Sequence, residues 1–309
     1  PKIAIPEYLY KECLKNWGYL GHGNAFAELH SLGKINNIEL YKEKKFEKYN
    51  FYLIIHSSLP GTFLTHYFTP RWGLHGKKFL PFEKEKWDYF SNHLKSKESI
   101  IHKNNYFPPS SKYFSIPYNS YDGNLYMSAQ LSLINANIAN RINQGLNFKK
   151  ILSKNIKNVK MNLISDTVHD SIQKINVKKN YIIHRHGASP SIYKGKNQKD
   201  NSNLVIIPSA AGRPVSICKS DIGSKYTWNS CSHGTGRIYD RPKLKLKRFK
   251  SKPIDEIIKN GNKILYNKID LNTEHPKAFK KASNVIKIIE KEKIIKKIFD
   301  TKSLFVLKG

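Results

Sequence analysis

The apolar residues of this 309-residue chain come in short, separate runs, and that limits what it can fold into. Phe51–Ile55, Tyr181–Ile183, Leu204–Ile207 and Leu304–Leu307 are rich in β-branched and aromatic residues and read as buried strands. Between Met127 and Arg141, Leu131, Ile134 and Ile138 recur at helical spacing and predict a helix. A second helix is expected from a Ser283 or Asn284 cap to about Phe299, with Val285, Ile288, Ile289 and Ile295 on its apolar side. The two kinds of element mix without a βαβ rhythm, so the expected class is α+β. No run reaches the roughly 18 apolar residues of a membrane span, and no partner membrane is expected.

Charge narrows the partners. Lys and Arg total 54 against 23 Asp and Glu, a formal net charge of +31. Lysines cluster in the stretches Lys42 to Lys48, Lys149 to Lys160, Lys194 to Lys199 and Lys243 to Lys252. A surplus of this size attracts polyanions through counterion release, so RNA or another nucleic acid is the expected partner. The three cysteines, Cys13, Cys218 and Cys231, form no CxxC pair, which argues against a disulfide scaffold or zinc ribbon. A reducing compartment, cytoplasmic or organellar, is the expectation.

Four short segments carry chemistry: Gly21 to Glu28 (GHGNAFAE), Leu53 to Ser58 (LIIHSS), Asp166 to Asp170 with His184 to Ala188 (DTVHD, HRHGA), and Ser230 to Arg237 (SCSHGTGR). His56 closes an apolar strand and meets a Ser-rich turn. Taken alone, it is more often a satisfied core histidine than a ligand. His169 stands between acids near the start of a possible helix, as a cap or as a ligand steadied by a carboxylate. His233 lies among small residues, and Gly234 and Gly236 allow close backbone approach. A histidine so flanked, with Arg237 beside it, can be a nucleophile facing a phosphate, or an inert loop residue.

In this order the segments resemble the RtcB family of RNA ligases. That family reads GGGNHFxE, HSGSR, a His-Asn pair, HRKGA, PGSMGT and CSHGAGR, and ends in Lys-Gly. This chain reads GHGNAFAE, HSS, HD, HRHGA, PSAAGR and SCSHGTGR, and closes on Lys308-Gly309. The helix around Tyr121 to Arg141 also resembles a family helix ending in Asn-Arg. The resemblance spans nearly the whole chain, so residues 1–309 are read as one domain, the C-terminal portion of the family fold. It implies mixed β-sheets flanked by helices around a central cleft.

It also implies an activity: joining an RNA 3′-phosphate or 2′,3′-cyclic phosphate to a 5′-hydroxyl, with GTP and manganese, through a guanylylated histidine. By position that histidine is His233. Asn24, Glu28, Gly234, Gly236 and Lys308 match guanylate contacts, with Glu28 reading the guanine edge. His56 and His169 match metal ligands. Arg185 and Arg237 match basic positions near the phosphates and are expected to form a strip with Lys243 to Lys252.

The departures are equally specific. Ala25 stands where the family has a metal-binding histidine, and it is expected to line the metal cavity and leave it short of a ligand. No Asp-x-x-Cys precedes Asn24, although Cys13 does. The PGSMGT loop has become Pro208 to Arg213, Phe279 replaces a tyrosine, and His186 a lysine. Two functions stay open: a working ligase, with a separate chain or a further segment supplying the missing ligands, or an RNA-binding protein that has lost the chemistry.

Overall fold

The computed structural model describes residues 14–21, 23–59, 119, 121–177, 179–193, 203–239, 244, 249–259, 261–266 and 271–308. The chain forms two compact units, one of Pro1–Trp17 with Leu59–Asn137, the other of Gly18–Ser58 with Ile138–Gly309. In the first, the Leu59 N–H donates to Asn137 Oδ1 on a helix at 2.6 Å. The second holds every described strand, and the expected α+β class is what it shows.

Its centre is a six-stranded sheet. In chain order the strands are β1 (Phe26–Ile35), β2 (Phe51–His56), β6 (Leu204–Ile207), β7 (Ser216–Ser220), β9 (Lys263–Tyr266) and β10 (Ile295–Lys308). The spatial order is β2-β1-β10-β7-β6, all antiparallel, with β9 added parallel to the end of β10. Two antiparallel pairs are separate sheets: β3 (Ser171–Val177) with β4 (Lys179–Arg185), and β5 (Ala188–Pro190) with β8 (Ser230–Ser232). The helices are α1 (Ile38–Glu43), α2 (Tyr121–Asn155), α3 (Pro253–Ile258) and α4 (Ala282–Lys291). No helix among the described residues is long and apolar enough to cross a membrane.

Strand periodicity explains the two cores. On β6, Leu204 and Ile206 face a cluster built on Tyr41, Phe46, Tyr52 and Phe299, while Val205 and Ile207 face a second cluster with Ile286 of α4. Ile217 and Cys218 of β7 divide in the same way. Consecutive Ile298 and Phe299 both enter the first cluster, which strict alternation forbids. A break of register between Lys297 and Phe299 resolves this by turning one residue of β10.

The strands expected at 51–55, 181–183 and 204–207 are present, and 304–307 is the end of the longer β10. Three expectations need correction. The helix read from Met127 to Arg141 runs from Tyr121 to Asn155, because no proline interrupts its flanks. The terminal helix is capped at Lys281, not Ser283 or Asn284, and stops at Lys291. Lys293 then adopts a left-handed φ of 54°, and Ile295 opens β10. The chain after His169 enters strand β3, not a helix.

Candidate functional site: a cavity lined by histidines

A cavity of about 340 Å³ lies where β2 and β10 end and where β5 and β8 meet. That size suits a small ligand. Its lining includes Asn24, Phe26, His56, His169, His233 and Lys308. Each arrives by a separate route.

His56 is the last residue of β2 and pairs in register with Phe26, the first of β1. Its ring stacks on Phe26 with centroids 5.3 Å apart. His169 precedes β3, and its carbonyl accepts from the Ala188 N–H at 3.2 Å. His233 follows β8, in which Ser232 pairs with Ala188. That pairing sets Gly187 directly opposite His233. The Gly187 carbonyl accepts from His233 Nδ1 at 2.7 Å, and the Gly187 N–H donates to Asp170 Oδ1 at 3.0 Å. Gly187 has a φ of +67°, and a Cβ there would sit 3.4 Å from His233 Nδ1. A side chain would therefore strain the backbone and crowd the ring that this carbonyl orients.

The three imidazoles converge. One ring nitrogen from each of His56, His169 and His233 lies within 4.8 Å of the others. His56 Nε2 and His169 Nε2 are 3.0 Å apart, inside twice a metal–nitrogen bond of about 2.0–2.3 Å. The rings of His169 and His233 stack with centroids 4.1 Å apart. Nδ1 of His56 and of His169 is buried without a well-formed hydrogen bond; the carboxylate nearest His169 Nδ1, Asp170 Oδ2, is 3.3 Å away. Facing Nε2 atoms, with Asp170 behind one ring, fit a divalent transition ion.

Electrostatics keep the His56 and His233 rings neutral. Burial, then the neighbouring His169, His233 and Lys308, push His56 down to about 3. Burial also lowers His233, against the opposing pull of the Gly187 carbonyl. For Asp170 burial raises the carboxyl, but the His169 ring and the Gly187 N–H outweigh it and hold the group well below the usual carboxylate range. A neutral imidazole whose Nδ1–H is fixed by a carbonyl keeps its Nε2 lone pair for a metal or a phosphorus.

The remaining expected site residues fall into two groups. Asn24 and Lys308 line the cavity, and Lys308 Nζ donates to the Gly23 carbonyl at 2.8 Å. Gly234 and Gly236 line it too; a Cβ on Gly234 would meet the Pro208 carbonyl at 3.1 Å. Arg237 lies at the wall, but its guanidinium is held by the protein. It donates to Glu274 Oε1 at 3.2 Å, to the Tyr239 carbonyl at 3.1 Å and to the Thr273 carbonyl, and it stacks 4.6 Å over Phe279. Glu28 and Arg185 are not in the lining. Glu28 accepts from His30 Nε2 at 2.8 Å and from the Gly212 N–H at 3.0 Å. Arg185 is buried against Ser230 Oγ at 2.9 Å and Gln173 Oε1 at 2.8 Å. Ala25 is buried and also outside the lining, where its flanks Asn24 and Phe26 stand instead. This corrects the expectation that Ala25 lines the metal cavity: on an extended chain a neighbour of Phe26 points the other way. Half of the stretch Lys243 to Lys252, with Lys243, Lys245 and Lys247, lies outside the described residues, as do Cys13 and Gly309.

Two contributors were not read as site residues. Gly187 orients His233, and Pro208, whose carbonyl accepts from the Thr235 N–H at 3.1 Å, shapes the turn behind it. The glycine of HRHGA was the available signal for the first.

A family profile described as "tRNA-splicing ligase RtcB" matches residues 4–309. Curated relatives bearing that name include one from Pyrococcus abyssi, 25 % identical over 94 % of this chain and 31 % of its own length. Another, from Thermococcus kodakarensis, is 23 % identical over 94 % of this chain and 59 % of its own length. A third, from Aeropyrum pernix, is 25 % identical over 71 % and 49 %. The chain thus spans between about a third and three fifths of the relatives it matches.

Proposed function

The chain belongs to the RtcB family, and from that premise we propose that it takes part in RNA ligation, as in tRNA splicing, through guanylylation of His233. One observation carries the reading: His233 Nδ1 is tied to the Gly187 carbonyl at 2.7 Å, which leaves Nε2 as the lone-pair end within the cavity. In the first step Nε2 attacks the α-phosphorus of GTP, a phosphorus–nitrogen bond forms and pyrophosphate leaves. The guanylate then moves to the RNA 3′-phosphate, and a 5′-hydroxyl displaces it. Asn24 and Lys308 sit where they can hold the nucleotide, and positioning is most of what such a step demands.

His56 and His169 would hold a manganese ion, whose chemistry is to offset charge on phosphate oxygens. Manganese favours oxygen donors, so water, phosphate and ligands from a further segment or a separate polypeptide complete its sphere. The +31 net charge supports RNA as the substrate, and buried thiols at Cys218 and Cys231 suit a reducing compartment.

The decisive experiment is incubation with labelled GTP and manganese, followed by mass spectrometry. A guanylate adduct on His233 that is absent in His233→Ala supports the reading. RNA binding without an adduct would assign the second function instead, an RNA-binding member of the family without chemistry. In either case affinity for RNA should fall with salt, by about 0.7 in log K per phosphate contacted on single strands.

A further inference from the structure

The polar face of α2 formed by Asn140, Arg141 and Gln144 is almost completely buried, with Asn140 at 0 % and Gln144 at 4 % exposure. Buried polar side chains persist where each finds a partner, and these partners follow a pattern. Arg141 donates as a fork to Asp166, Nε to Oδ2 at 2.8 Å and Nη2 to Oδ1 at 2.6 Å. Its remaining Nη1 donates to the Ser57 carbonyl at 3.3 Å. Gln144 Nε2 donates to Ser57 Oγ at 3.0 Å and to the Tyr19 carbonyl at 2.8 Å. Asn140 Oδ1 accepts from the Gly18 N–H at 2.7 Å.

Ser57 is the residue after His56. Asp166 lies three positions before His169, in a stretch without regular structure. Gly18 and Tyr19 begin the segment that leads to Asn24. One helical turn therefore grips the three chain segments that deliver Asn24, His56 and His169 to the cavity, and none of the three helix residues lines it. The geometry points to α2 as a positioning bracket for the histidine pair, with Arg141 as its hinge pin. The Arg141 guanidinium ties His169's segment to His56's segment and so sets the 3.0 Å approach of their Nε2 atoms. A bidentate fork fixes angle as well as distance, which a lysine ammonium cannot do.

This inference rests on the reading that His56 and His169 hold an ion, and its test separates the two. The native chain and Arg141→Lys, Gln144→Leu and Ile286→Ala are titrated with Co²⁺ alone and followed by visible absorption. The reactivity of each histidine towards diethyl pyrocarbonate is then read peptide by peptide. Arg141→Lys, folded by circular dichroism, should bind Co²⁺ at least about tenfold more weakly with an altered spectrum, the range typical for groups that orient ligands. It should also raise the reactivity of both His56 and His169, whereas Gln144→Leu should raise His56 more than His169. Ile286→Ala, a core change away from these segments, should leave spectrum and reactivity at native values. Native Co²⁺ affinity and spectrum in Arg141→Lys would overturn the bracket, and so would an equal loss in Ile286→Ala. If the native chain takes no Co²⁺, the ion reading fails, and the histidine reactivities alone decide the bracket: unchanged values in Arg141→Lys overturn it.

Discussion

His30 and His56 sit on neighbouring strands and could hardly be treated more differently. His30 is fully buried, at 0 % exposure, and both ring nitrogens are matched, Nε2 by Glu28 at 2.8 Å and Nδ1 by Thr301 Oγ1 at 2.9 Å. Thr301 Oγ1 in turn accepts from the Val215 N–H at 3.2 Å, and Glu28 takes the Gly212 N–H, so the group is closed on itself. His56 faces another imidazole 3.0 Å away, with an aromatic ring beside it, and with burial and the Lys308 ammonium lowering its proton affinity. A histidine with matched partners is holding a fold together. One turned towards a like group gains nothing for the fold from that approach and is placed where a ligand could occupy the space between the two rings.

Stability should divide along that line. His30→Leu takes the donor from a buried carboxylate and should cost about 3–5 kcal/mol in urea unfolding. His56→Leu, of similar volume, should change stability by less than about 1 kcal/mol while reducing divalent metal binding. Equal costs would erase the distinction. A smaller effect concerns Ala25→His, the substitution that would restore the family residue. Ala25 is buried outside the cavity lining, and a Cβ built on Gly21 would lie 3.2 Å from its own Cβ. Overpacking there should cost about 1–3 kcal/mol without raising the adduct yield. A higher yield would mean that the strand can turn this side chain inward.

A further effect is in pH. The folded chain holds His56 at about 3, against an ordinary value of 6.5. Between those values the unfolded chain takes a proton that the folded one refuses. Stability from this group is therefore complete above pH 6.5 and is lost as pH falls towards 3. The slope is at most about 1.4 kcal/mol per pH unit for one group. Melting curves from pH 7 to 4 should show a shallower acid decline in His56→Leu than in the native chain. Parallel curves would mean that His56 is not held deprotonated.

Much of this was legible in the sequence. A β-rich run ending at His56 announced both a strand and a strand-end residue, because β propensity and loop position are local properties. The convergence of His56, His169 and His233 came from collinear motifs and not from spacing. The parts that were not legible are those in which a local signal served a distant partner. Glu28 and Arg185 have the residue types of a binding site, yet His30, Gly212, Ser230 and Gln173 claim them. A carboxylate or guanidinium does not reveal in one dimension which partner it will meet. The N-terminal part of β10 hid for another reason: Lys296 and Lys297 followed a helical run, and only the left-handed turn at Lys293 ended it.

β10 also limits how this chain can vary in length. It carries Thr301, which locks the buried histidine, and Lys308, which reaches the cavity, on one continuous ribbon paired to β1, β7 and β9. Along a strand, side chains change face at every residue. Losing or gaining one residue between these two would turn Lys308 away from the cavity or Thr301 out of its network. It would also displace the register of the C-terminal half of β10 against both β1 and β9. Loops elsewhere can absorb such a change; within this strand, the reading length between the two residues is part of the site.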